Sequence, residues 1–162
     1  MKKALIVVDA QEYFKNKHTK RIFKNLEKFL QKKFCEYDDV IFLRYVNKSG
    51  SGLWKAGFKE LTEKDPKAKL AEEVQAFAFS GNTFSRASFS AFDAKGFEQR
   101  LKKKNIEQLD LAGFDTQCCI FSTAMNAFDK GFSVRILPNL TGSSFGGAFS
   151  KQALKLWELN TG

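Results

Sequence analysis

Histidine, proline and cysteine are scarce in this chain, with one His, two Pro and three Cys among 162 residues. A lone histidine, His18, leaves no histidine cluster from which a metal centre could be built. Two prolines beside 43% hydrophobic residues argue against a disordered or linker-like chain. Three cysteines, an odd number with none at a paired spacing, argue against a disulfide framework and make a cytoplasmic location the expectation. No apolar run approaches the ~20 residues that span a bilayer. Met1-Lys2-Lys3 and the short aliphatic run behind it are too brief for a signal peptide, because Asp9 ends the run. No membrane partner is expected.

What is abundant is phenylalanine and positive charge. Most of the 18 Phe must fill a core, and some are left to line a pocket. The formal charge of +9 comes mostly from lysines scattered through 15–33, 55–69 and 102–104. They are mixed with Glu and Asp rather than set in an arginine stripe with interleaved aromatics, so they read as solvated helix faces and not as a nucleic-acid surface. Their field would favour small anionic substrates by steering. A chain of this length forms a single domain, residues 1–162, able to bury roughly two-thirds of its unfolded surface.

Aliphatic runs at Ala4–Val8 and Val40–Val46 read as strands covered on both faces. Thr19–Phe34 carries Ile22, Phe23, Leu26, Phe29 and Leu30 at helical spacing. Thr83–Arg86 is a brief extended segment, Asp93–Lys104 a helix, and Gln108–Ala112 a strand ended by Gly113. Thr116–Lys130 follows as a helix, Phe132–Leu137 as a strand, and Pro138 opens a loop. Ala148–Leu159 closes the chain as a helix with Leu154 and Leu156-Trp157 facing inward. Strands alternating with helices at this rhythm imply an α/β, doubly wound, Rossmann-like fold: a mostly parallel sheet of five to six strands with helices on both faces.

In such a sheet the residues that end parallel strands gather on one edge. Asp9 ends the first strand, Arg86 an extended segment, and Cys119 lies in the first turn of the helix after a third strand. The unpaired N–H groups and positive dipole end of that turn favour a thiolate. A carboxylate beside a thiol can take its proton, and a guanidinium beside both steadies the anions. Each residue has a plainer reading: Cys119 as packing, Asp9 as a cap, Arg86 as a surface ion pair. The loop 47–57 leaves the same edge, which makes Trp54 and Phe58 candidate pocket walls, with Gln11 and Phe14 beside Asp9.

Three segments read together resemble the isochorismatase-like cysteine hydrolases, which include nicotinamidases and N-carbamoyl amidohydrolases. They are ALIVVDAQEYF, then FSRASFSAF, then Gly113, Thr116, Cys119, Thr123, Ala124, Ala127 and Gly131 at their spacings. The resemblance implies a catalytic set of Asp9, Cys119 and Arg86, the last standing where the family carries lysine. It also implies an oxyanion hole from the backbone N–H groups of Asp115 and Cys119, after a cis Phe114-Asp115 peptide. Five core strands are expected instead of six. The implied reaction cleaves a C–N bond of a small amide or carbamoyl substrate through a Cys119 thioester.

Arginine keeps its proton and is bulkier than lysine, so a catalytically silent binding module is the alternative. No cofactor is expected, and no metal: Asn47, Lys48 and Ser49 stand where nicotinamidases hold Asp and His ligands. Similar proteins assemble as dimers or tetramers, so a homo-oligomer is expected. The glycines of Thr141–Gly147 before a helix offer an anion site, or simply a chain-reversing turn.

Overall fold

The computed structural model describes residues 1–162. Its frame is a five-stranded, fully parallel sheet in the order β3-β2-β1-β4-β5. The strands are β1 (Lys3–Val8), β2 (Asp39–Tyr45), β3 (Thr83–Arg86), β4 (Gln108–Phe114) and β5 (Ser133–Gly142). The helices are α1 (Lys20–Lys33), α2 (Gly52–Lys55), α3 (Glu72–Gln75), α4 (Phe97–Lys103), α5 (Phe121–Asp129) and α6 (Gly147–Thr161). No helix is long and apolar enough to cross a membrane.

From Ala4 to Val8, β1 is unbrokenly aliphatic because it is the central strand, with helices over both faces. Leu5 and Val7 pack with Phe23, Leu26 and Leu30 of α1 and Val74 of α3. Ala4, Ile6 and Val8 point the other way, into a core with Phe97 and Leu101 of α4, Ala124 and Ala127 of α5, and Trp157 of α6. Phe23, Leu26 and Leu30 are fully buried at helical spacing, and each such side chain contributes about 1.5–3 kcal/mol. The doubly wound α/β architecture expected from the sequence is the one observed, with five strands. From β1 the sheet grows outward to β2 and β3, then restarts at β4 on the opposite side. The carboxyl ends of β1 and β4 therefore flank the switch point, where such sheets open a crevice.

Gly113 lets the two central strands meet at that point. It has φ +111°, and a Cβ there would lie 1.9 Å from the Val8 carbonyl oxygen. Just before it the β4–β5 register shifts, Leu111 pairing with Ile136 but Gly113 with Thr141.

Several elements differ from the sequence expectation. β5 runs on to Gly142 instead of ending before Pro138. It is an edge strand and Pro138 falls in its bulge, where a missing N–H interrupts no ladder bond. The helix expected from Asp93 starts at Phe97, because Gly96 at φ +89° breaks the chain after a short 3-10 turn at Ala91–Asp93. The helix expected from Thr116 opens as a wide π-helical turn, Thr116–Ile120, before α5. Leu156 does not face inward; it is exposed, because Ala153 and Trp157 carry the buried face of α6.

Candidate active site

Asp9 is the first residue beyond β1 and has φ 51°, in the left-handed region that Asp tolerates better than most residues. Its N–H still donates to the Leu43 carbonyl at 2.9 Å, so the bend comes at the very end of pairing. Arg86 ends β3, the edge strand, with all of β2 between it and β1. Tyr45 is its partner in register. The guanidinium carbon lies 5.9 Å from the centre of the Tyr45 ring, and the side chain reaches past it to Asp9. Nη1 donates to Asp9 Oδ1, and Nη2 to Oδ2 at 3.0 Å. Nη2 also donates to the Phe89 carbonyl at 3.0 Å, while the buried Nε has no partner. The side chains of Arg86 and Asp9 are 1% and 0% exposed. Burial pulls the arginine pKa down, but the Asp9 carboxylate outweighs it and holds the pKa above its ordinary value.

Cys119 sits in the π-helical turn and is 6% exposed, at the floor of a cavity. Its thiol is pushed well above the ordinary value. The neighbouring Cys118 thiol and burial both raise it, and the Asp9 charge opposes a second anion, against which Arg86 is the weaker influence. This departs from the sequence expectation that the turn would favour a thiolate: desolvation and a near carboxylate outweigh one helix end. Cys118 moves the opposite way, lowered chiefly by its neighbour Cys119.

Asp115 lies between β4 and the π turn, after a cis Phe114-Asp115 peptide. Its backbone N–H donates to no acceptor in the chain. Its carboxylate accepts from the Ser144 N–H and the Ser144 hydroxyl, both at 2.6 Å, and burial pushes its pKa up. Asn16 Nδ2 donates to the Ser144 carbonyl at 2.9 Å, so the same loop is held from two sides. Thr141 is not free for an anion. Its hydroxyl donates to the Gly113 carbonyl at 2.9 Å and lies 3.0 Å from the Thr116 hydroxyl, which lies 2.8 Å from that of Ser150.

Above Cys119 the cavity measures about 370 Å³, with ten hydrophobic residues among the thirteen that line it. Tyr13, Phe14, Tyr45, Phe58, Phe89 and Phe145 supply its aromatic walls. No lysine or arginine lines it, and Asp115 is its one charged residue, so the expected anionic substrate would find no counter-charge there. A larger groove of about 650 Å³ runs beside β3, among Arg44, Asp65, Gln75 and Thr83, but it holds no cysteine.

Residues 3–161 match the model of the isochorismatase domain. The chain belongs to the isochorismatase family. Its fold superposes on an isochorismatase-like hydrolase from Alkaliphilus metalliredigens with a TM-score of 0.87 at 16% identity, covering 98% of this chain and 92% of that one. Nicotinamidase PncA from Bacillus subtilis gives 0.86 at 22% identity, covering 98% and 95%. N-carbamoylsarcosine amidase from Thermoplasma acidophilum gives 0.84 at 14%, covering 98% and 94%. Among curated proteins, the isochorismatase family protein PncA of Bacillus subtilis is 33% identical over 73 residues, or 44% of this chain and 40% of that protein. The aligned segment thus spans well under half of that relative.

Of the three residues expected to be catalytic, Cys119 lines the cavity, whereas Asp9 and Arg86 pair in the interior behind it and act on its thiol through their charges. Of the four side chains expected as walls, Phe14 and Phe58 line the cavity, whereas Gln11 and Trp54 do not. Gln11 is a buried brace: its amide accepts from the Tyr45 N–H at 2.8 Å and donates to the carbonyls of Tyr45 at 3.0 Å and Ala68 at 2.8 Å. Trp54 lies under the Lys59 ammonium, 4.3 Å from its ring centre, and its neighbour Leu53 borders the cavity instead. The short helix α2, capped by the Ser51 hydroxyl, sets that one-residue offset.

Tyr45 and Phe89 were legible in principle, one ending a strand at the crevice edge and one inside the FSRASFSAF segment. Asn16, Ser144 and Phe145 come from loops and carried no such signal. After β2, the Asn47 amide is fully engaged: Oδ1 accepts from the Ser51 hydroxyl at 2.7 Å, and Nδ2 donates to the carbonyls of Phe58 at 2.9 Å and Glu60 at 3.1 Å. This segment braces the wall of the cavity and does not fit a divalent ion, whose ligands must converge with free lone pairs.

Proposed function

We propose that this chain hydrolyses a C–N bond of a small, uncharged, apolar amide or carbamoyl compound, with Cys119 as nucleophile. One observation supports the reading: Cys119 lines an aromatic cavity with Asp115, whose backbone N–H is unengaged, and its thiol feels both charges of the buried Asp9–Arg86 pair. Each carboxylate oxygen has a second lone pair beyond the one Arg86 occupies, so Asp9 can still accept a proton. With the resting sulfur held as a thiol, proton transfer to Asp9 and attack on the carbonyl carbon go together. The developing oxyanion is met by the N–H groups of Asp115 and Cys119, each such donor being worth about 3 kcal/mol. Asp9 returns the proton to the leaving amine as the C–N bond breaks, and water then cleaves the thioester to the acid and the free thiol. Arg86 keeps its proton throughout and orients Asp9.

A catalytically silent binding module is the second reading, favoured by the grip of Arg86 on both oxygens of Asp9. A screen of neutral amides, among them benzamide, nicotinamide and pyrazinamide, for ammonia release separates the two. Turnover that disappears in Cys119→Ala supports the hydrolase. Saturable binding of these amides to both proteins with no ammonia from either supports the module.

A further inference from the structure

Cys118 and Cys119 both line the aromatic cavity, side by side in the π-helical turn. Only Cys119 has a part in the proposed hydrolysis. Adjacent thiols are poor partners for each other: consecutive Cα atoms lie about 3.8 Å apart, below the roughly 4.4 Å at which disulfides begin. A direct S–S bond would strain the turn, whereas a single atom inserted between the sulfurs enlarges the ring and relieves it. What that atom can be follows from what surrounds it. No group of three or more His, Cys, Asp or Glu is gathered anywhere in the chain to hold a metal ion. Zinc, which seeks four ligands, is therefore unsuited. An element that needs two thiolates and brings its own third, organic substituent fits the donor set. Phe14, Phe58, Phe89 and Phe145 form an apolar chamber for that substituent directly beside the sulfurs. Stacking and edge contacts there favour an aryl group.

We propose that Cys118 and Cys119 form a chelating dithiol site for trivalent aryl-arsenicals, with the aryl group seated in the aromatic cavity. The reaction balances without an oxidant or reductant: an arsenoxide R–As=O plus two S–H groups gives a cyclic R–As(S)₂ and one water. Two As–S bonds form, two S–H bonds break, and arsenic stays trivalent. The site exists whether or not the protein hydrolyses amides, because it needs only the two sulfurs and the cavity.

The probe is phenylarsine oxide, followed by intact mass and peptide mapping at neutral pH in a Cys35→Ser background, which removes the exposed third thiol. One phenylarsenic group should bridge Cys118 and Cys119, survive excess 2-mercaptoethanol, and be released by 2,3-dimercaptopropanol. Cys118→Ser and Cys119→Ser should each yield adducts that the monothiol strips. Inorganic arsenite, which has no aryl group, should bind at least tenfold more weakly. An adduct of the Cys35→Ser protein that the monothiol removes as readily as from the single variants overturns the chelate. Equal affinity for arsenite overturns the role of the cavity. A folded Cys118→Ser protein, checked by its thermal transition, that keeps a monothiol-resistant adduct also overturns the proposal.

Discussion

Replacing Arg86 by methionine tests the buried ion pair that organises the site. The change keeps an unbranched apolar stem and removes the guanidinium. Asp9 is then left as a carboxylate in an environment where both partners were essentially inaccessible, at 0% and 1% exposure. Breaking a buried pair from one side costs about 3–5 kcal/mol, and leaving the Phe89 carbonyl without its donor adds about 1 kcal/mol. For a chain of this size each kcal/mol lowers Tm by roughly 2–4 °C, so the drop should lie at about 8–24 °C. The double variant Asp9→Leu/Arg86→Met removes both charges and should recover most of that loss, since an apolar pair of similar volume is often neutral. Urea titration followed by tryptophan fluorescence, with calorimetry, measures both proteins and the two single variants. A single-variant cost below about 1 kcal/mol, or a double variant as unstable as the sum of the singles, refutes the buried-pair argument.

Gly113→Ala should destabilise the chain by roughly 2 kcal/mol or more, because its Cβ would meet the Val8 carbonyl at 1.9 Å from a backbone at φ +111°; a chemical denaturation midpoint within error of the parent contradicts this. Iodoacetamide at pH 7 should label exposed Cys35 and half-buried Cys118 before Cys119, whose thiol is held protonated, and Cys119 labelling should accelerate only at alkaline pH; peptide mapping that finds Cys119 first at neutral pH is the contrary result. Burial raises the Asp110 pKa, but hydrogen bonds from Arg135, Tyr37 and Gln108 outweigh it and hold it below the ordinary carboxylate range. Its contribution is present above the unfolded-state value of about 3.9 and is lost as pH falls through the lower folded value. Arg135→Ala should therefore move the acid-unfolding midpoint, read by circular dichroism, to higher pH.

The sheet was legible because its strands are written in aliphatic runs and its helices in a regular apolar period. Leu5, Ile6 and Val7 could belong only to a covered strand, and Phe23, Leu26 and Leu30 only to one face of a helix. The residues at strand ends were legible for the same reason, since parallel strands deliver their carboxyl ends to one edge. What sequence could not give was the direction of side chains on short irregular pieces. Trp54 and Leu53 differ by one position in a four-residue helix, and only the Ser51 cap decides which of them meets the cavity. Gln11 looked like a pocket residue from its nearness to Asp9, yet two backbone segments claim its amide. The state of the Cys119 sulfur escaped for another reason: it depends on burial and on the distance to a carboxylate over a hundred residues away, and neither is a local property of the π turn.

The carboxylate of Asp115 fastens the Ser144 loop to the very residue whose backbone N–H is left without an acceptor, and Phe145, 71% exposed, is the next residue along that loop. Doorway and hearth thus share one hinge pin. The aromatic at the cavity mouth and the peptide at its back are therefore tied through two hydrogen bonds, and neither is placed independently of the other.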